Sequence, residues 1–76
     1  MADTNVNTLD VANFGPNLKR FRLENELTHE QFAELLGVSS RVVYDWEDGF
    51  KYPRFQRAVE IANVLKVSLD SILRTA

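Results

Sequence analysis

From Phe14 onward, apolar residues recur every three or four positions, and the stretches between them carry residues that start and stop helices. Pro16 suits a first helical turn. Leu18, Phe21 and Leu23 form an apolar stripe beside Lys19, Arg20 and Arg22, so a first helix is predicted to fade near Asn25. Thr28 followed three residues later by Gln31 is a capping-box signature, and Phe32, Leu35 and Leu36 supply the inward face of a second short helix that Gly37 ends. Ser39 caps a third helix, in which Val42, Val43 and Trp46 recur at helical spacing until Gly49. Phe50-Lys51-Tyr52-Pro53 reads as a loop, because the proline steers Tyr52 away from helical conformation. A fourth helix follows from about Arg54 with the stripe Phe55, Ala58, Val59, Ala62 and Leu65, and a last one, capped by Ser68, runs from Leu69 to Leu73. The pattern predicts a compact all-α fold of five helices and no strand.

Residues 1–13 are rich in Asn, Asp and Thr with isolated Val6, Leu9 and Val11. They are expected to form a flexible N-terminal arm ahead of a single domain over residues 14–76, one extra helical turn capped by Thr8 being the alternative. A chain of 76 residues has material for one core. With no cysteine, disulfides and thiolate metal sites are excluded, and stability must come from apolar packing. The leader has no basic start, and no apolar run approaches the length of a membrane span, so a cytoplasmic protein is expected.

Charge changes the picture more than composition does. The formal net charge of −2 has the wrong sign for attraction to phosphate. Asp3 and Asp10 lie in the leader, however, and from Phe14 onward nine basic residues balance nine acidic ones. Distribution must therefore outweigh the total. No nucleophile–base pair, phosphate-cradling glycine loop or metal cluster is present, so an enzyme, a cofactor and a small-molecule substrate are not expected.

The informative spacing is Ala33, Gly37, Val43 and Trp46. Two helices joined by a tight turn cross closely, so the first needs a small residue where the second passes over it. Ala33 supplies that, and Gly37 can take the left-handed backbone of a sharp turn. Val43 and Trp46, three apart, put their side chains on the inward face, which leaves Ser40, Arg41, Tyr44 and Asp45 turned outward. A short rigid helix with an exposed N-terminal half is what enters a major groove.

The run LTHEQFAELLGVSSRVVYDWEDG, followed by PRFQRAVEIANVLKVSLDSIL, resembles the phage-repressor and Cro type of helix-turn-helix family, also called the xenobiotic-response-element family. The likeness spans about Phe14 to Leu73. It implies a lambda-repressor-like DNA-binding domain with the helix-turn-helix at helices 2 and 3, and a transcriptional regulator binding a double-stranded DNA operator as a homodimer. By that resemblance Ser40, Arg41, Tyr44 and Asp45 would face bases, while His29, Ser39, Lys51 and Arg54 would meet phosphates. Arg22 and Glu47 match positions where relatives form an ion pair between the first helix and the recognition helix.

The chain also departs from the family's pattern. His29 stands where glutamine is common, Asp45 and Asp48 make the recognition face acidic, and Lys66 replaces a usual glycine at a position that calls for left-handed backbone. Trp46 is read as core rather than as a recognition aromatic. His29 is read as a solvated helix terminus without a carboxylate partner, a phosphate contact being its functional alternative. Glu24, Glu26, Glu30 and Glu34 are read as solvated faces. Phe50, Tyr52 and Phe55 are either satellite core around the loop or a partner-binding patch. The alternative function is therefore a phage antirepressor, modulator or antitoxin-like protein that uses the scaffold to bind a repressor, a toxin or another protein.

Overall fold

The computed structural model describes residues 9–74. Helix α1 spans Phe14–Glu24, α2 His29–Leu36, α3 Ser40–Glu47, α4 Phe55–Leu65 and α5 Leu69–Leu73. Hydroxyl caps start three of them. The Thr28 hydroxyl accepts from the Gln31 N–H at 3.0 Å while the Gln31 side chain accepts from the Thr28 N–H at 2.9 Å. Ser39 accepts from the Val42 N–H, and Ser68 from the Ser71 N–H. Left-handed residues end two helices, Gly37 (φ 74°) closing α2 and Lys66 (φ 59°) closing α4. The lysine, unlike a glycine, is strained there by about 1–2 kcal/mol.

The five helices pack around one core. Phe14 and Leu18 come from α1, Phe32, Ala33 and Leu36 from α2, Val43 and Trp46 from α3, Ala58, Ile61, Ala62 and Leu65 from α4, and Ile72 and Leu73 from α5. Trp46 meets Phe14 edge to face, with ring centroids 5.3 Å apart and planes at 89°. Three stripe residues expected to point inward are exposed: Leu23, Leu35 and Phe55. Leu23 lies five residues after Leu18, about 140° around the helix, and the inward slot beside Leu18 is taken by Arg22. The buried arc of α2 runs from Phe32 through Leu36 to Ala33, which leaves Leu35 outside it. On α4 the arc is completed by Ile61, which the predicted stripe omitted, while Phe55 stands on the first turn, open to solvent.

The expectation of a free arm over residues 1–13 is corrected for residues 9–13. Val11–Asn13 form a 3₁₀ turn whose cap is Asp10, accepting from the Ala12 N–H at 2.9 Å. Leu9 forms an isolated antiparallel bridge with Arg74, and the Asp10 N–H donates to the Leu73 carbonyl. The Asn13 amide donates to the same carbonyl, and the Asn17 amide donates to the Ile72 and Arg74 carbonyls. These bonds join segments some sixty residues apart, and no local pattern announces them. The extra helical turn thus exists with Asp10 as its cap. The remainder of the expected arm, Thr8 included, lies outside the described residues. Among the described residues no helix is long and apolar enough to cross a membrane.

Candidate nucleic-acid interface

The corner between α2 and α3 is built from backbone first. With Gly37 in left-handed conformation, its N–H reaches the Glu34 carbonyl and the Val38 N–H reaches the Ala33 carbonyl at 3.0 Å, a closed helix end that redirects the chain in two residues. Ser39 then restarts it. Ala33 is buried where α3 crosses, and Val43 and Trp46 are buried on the facing side of α3. A further close approach comes from α1: a Cβ on Gly15 would lie 2.0 Å from the Trp46 carbonyl oxygen. Only glycine fits there. In the sequence Gly15 carries little signal, being only a glycine inside a first helical turn, two residues ahead of the buried Asn17 and next to the buried Phe14.

One ion pair locks this arrangement. Arg22 Nε donates to Glu47 Oε2 at 2.8 Å and Nη2 to Oε1 at 3.1 Å, a two-pronged contact between α1 and the last turn of α3. Arg22 Nη1 also donates to the Leu27 carbonyl at 3.0 Å, holding the α1–α2 turn. Both side chains are more than nine-tenths buried. The hydrogen bond to the Glu47 carboxylate raises the Arg22 pKa above its ordinary value against the opposing effect of burial, so the guanidinium stays charged.

The opposite face of α3 is open. Arg41 extends a side chain that is 85% exposed, its Nε 3.5 Å from Asp45 Oδ1, and Lys51 Nζ lies 3.8 Å from Asp45 Oδ2. Asp45 is the less accessible member, and its backbone carbonyl accepts from the N–H groups of Phe50 and Lys51. It therefore organises the start of the loop as well as facing outward. Tyr44 is exposed and Ser40 half-buried on the same helix. Ser39 uses its oxygen as the cap of α3, which leaves its proton for a further acceptor.

His29 is not the solitary terminus expected of it. Its ring stacks on Tyr44 with centroids 3.8 Å apart and planes 11° from parallel, and its Nε2 lies 3.3 Å from Glu47 Oε1. A carboxylate partner reaches it across the corner, which linear spacing cannot reveal. Arg54 immediately precedes α4 in extended conformation, exposed beside Lys51 and the loop. Phe50, Tyr52 and Phe55 are exposed, Phe50 to 78%, so they are not satellite core. Phe50 lines a shallow depression with Arg41, Tyr44, Asp45, Asp48 and Lys51 at the end of α3, and Tyr52 lines a neighbouring one floored by Val38, Val42 and Pro53.

A helix-turn-helix family model, HTH_3, matches residues 18–72, which takes in all of α2, α3 and α4. The chain belongs to the HTH_3 helix-turn-helix family. It is similar to an uncharacterized HTH-type transcriptional regulator, YqaE of Bacillus subtilis, with 34% identity over 61 residues covering 80% of this chain and 53% of that protein. It is also similar to the HTH-type transcriptional activator BcrR of Enterococcus faecalis, 35% identical over 60 residues, 79% of this chain and 29% of that one. The chain thus spans about half the length of one relative and less than a third of the other. Among solved structures, a transcriptional regulator from Listeria innocua superposes with a TM-score of 0.69 at 32% identity, covering 79% of this chain and 56% of that chain.

Proposed function

We propose that this helix-turn-helix domain binds an operator in double-stranded DNA by laying the outer face of α3 in the major groove, two copies reading half-sites about one helical turn apart. What carries the reading is the contrast within α3, a buried, bidentate ion pair on one side and a largely exposed arginine on the other. In this reading Arg41 pairs with guanine, Asp45 accepts from a cytosine amino group, and Ser40 and Tyr44 meet neighbouring base edges, the Tyr44 ring against a thymine methyl. His29, Ser39, Lys51 and Arg54 approach the phosphates and set register. Such a regulator works beside DNA in the cytoplasm.

Selection from random duplex DNA with the purified chain tests this. Enrichment of a two-fold symmetric site is expected, with affinity that falls as salt rises by a logarithmic slope of about −0.9 for each phosphate neutralised. Failure to enrich any sequence at low salt overturns it. The exposed rings of Phe50, Tyr52 and Phe55 favour a second reading, in which a repressor, a toxin or another protein covers the loop. That contact would be largely apolar and would persist at salt concentrations that release DNA.

A further inference from the structure

Tyr44 sits in the middle of α3, three residues after Arg41 and three before Glu47. An exposed tyrosine on a helix ordinarily samples several rotamers, and ordering it on a ligand then opposes binding. Here the ring is already held. His29, the first residue of α2, lies flat against it at 3.8 Å, and the imidazole is anchored in turn because Nε2 faces Glu47 Oε1 at 3.3 Å. Glu47 cannot swing away, since Arg22 grips both of its oxygens from α1. Four side chains from three helices thus form one continuous chain of contacts running from the buried ion pair to the surface.

We infer that His29 is a positioning residue for sequence recognition: by stacking on Tyr44 it fixes the ring in the orientation that reads a base edge, and it passes the rigidity of the Arg22–Glu47 pair to the recognition face. The inference rests on the operator reading above. It assigns His29 a role distinct from a phosphate contact, because a phosphate contact would act through the imidazole nitrogens and a positioning contact through the flat face of the ring. A phenylalanine at this site keeps the face and loses the nitrogens. An alanine loses both.

The test compares His29→Ala and His29→Phe with the parent chain. In the DNA-free protein, the ring protons of Tyr44, one of only two tyrosines and identified by their loss in Tyr44→Phe, are expected to move on His29→Ala as the stacked ring's field disappears. With DNA, selection should show the preference at one base-pair position weakened about five- to tenfold in His29→Ala, that position matching the one lost in Tyr44→Ala. His29→Phe, which keeps the stacking face but loses the Nε2 anchor on Glu47, should fall between the parent and His29→Ala. Placing His29→Ala in the Tyr44→Ala background should relax the preference no further. Unmoved Tyr44 protons in His29→Ala would overturn the inference, as would a loss of affinity equal for all sequences in both His29 variants. If the parent enriches no sequence, the operator reading falls and takes this inference with it. The ring-proton result still reports the stack separately.

Discussion

Two arginine–carboxylate pairs involve the same short helix and differ in almost every respect. Arg22 and Glu47 meet at 2.8 and 3.1 Å with both side chains buried, while Arg41 and Asp45 stand 3.5 Å apart with the arginine in solvent. Desolvating two charges offsets most of their attraction, so the inner pair adds little net stability, yet stripping one partner leaves the other buried and unpaired. The outer pair is screened by water, and its net contribution is small. The first kind of pair fixes where α3 lies. The second can be exchanged for a guanine or a phosphate at little cost, which suits a face that must release its own contacts to bind.

Breaking the inner side should have the largest effects. Glu47→Ala is expected to destabilise the fold by about 3–5 kcal/mol, lowering the thermal unfolding midpoint on the order of 20 °C in a domain of this size. A midpoint equal to the parent's would show that the pair does not hold α3. Gly15→Ala tests the same anchoring without charge. The new Cβ would press on the Trp46 carbonyl, part of the backbone, so α1 must back away from α3 at about 3 kcal/mol, the upper end of ordinary overpacking. Denaturant unfolding measures that loss directly, and a cost below about 1 kcal/mol would show that this close approach does not anchor α3.

The outer side should respond in binding and not in stability. Arg41→Ala is expected to leave unfolding within about 0.5 kcal/mol of the parent while weakening the selected operator by about 1–3 kcal/mol and relaxing one base preference. Competition between the operator and a variant changed at one base pair reads that preference, and unchanged discrimination removes the assignment. The smallest effect belongs to Asp45→Asn. Loss of a carboxylate shared by Arg41 and Lys51 should change stability by less than about 1 kcal/mol. It should raise affinity for random-sequence DNA, measured by titration at two salt concentrations, and blunt any preference for cytosine. A fall in that non-specific affinity would show that Asp45 serves mainly to shape the loop.

The legible and illegible parts of the molecule divide along the same line. Thr28 with Gln31, Ser39, Gly37 and Ser68 mark helix ends through bonds that span three to five residues, and the helices begin and stop where those residues stand. Inward residues were harder. Leu23 and Leu35 are as apolar as their buried neighbours, and only the direction from which other helices arrive decides that Arg22 and Ala33 are covered in their stead. His29 offers the sharpest case, since a lone histidine at a helix start gives no sign of a glutamate eighteen residues later and a tyrosine one turn before it. The ring trio of the loop illustrates the converse. Its hydrophobicity suggested burial as readily as exposure, and the structure leaves Phe50 and Tyr52 in the loop and Phe55 on the first turn of α4 outside the core.

Local chemistry was enough to set the number of helices, their limits and the tight glycine corner, because capping and left-handed turns depend on residues adjacent in the chain. The tethering of residues 9–13 to the end of α5, the glycine-only contact between α1 and α3, and the chain of contacts from Arg22 to Tyr44 were decided by tertiary structure. Each needs groups distant in sequence, backbone or side chain, to come into close contact, and that depends on how the helices cross, which no single helix encodes.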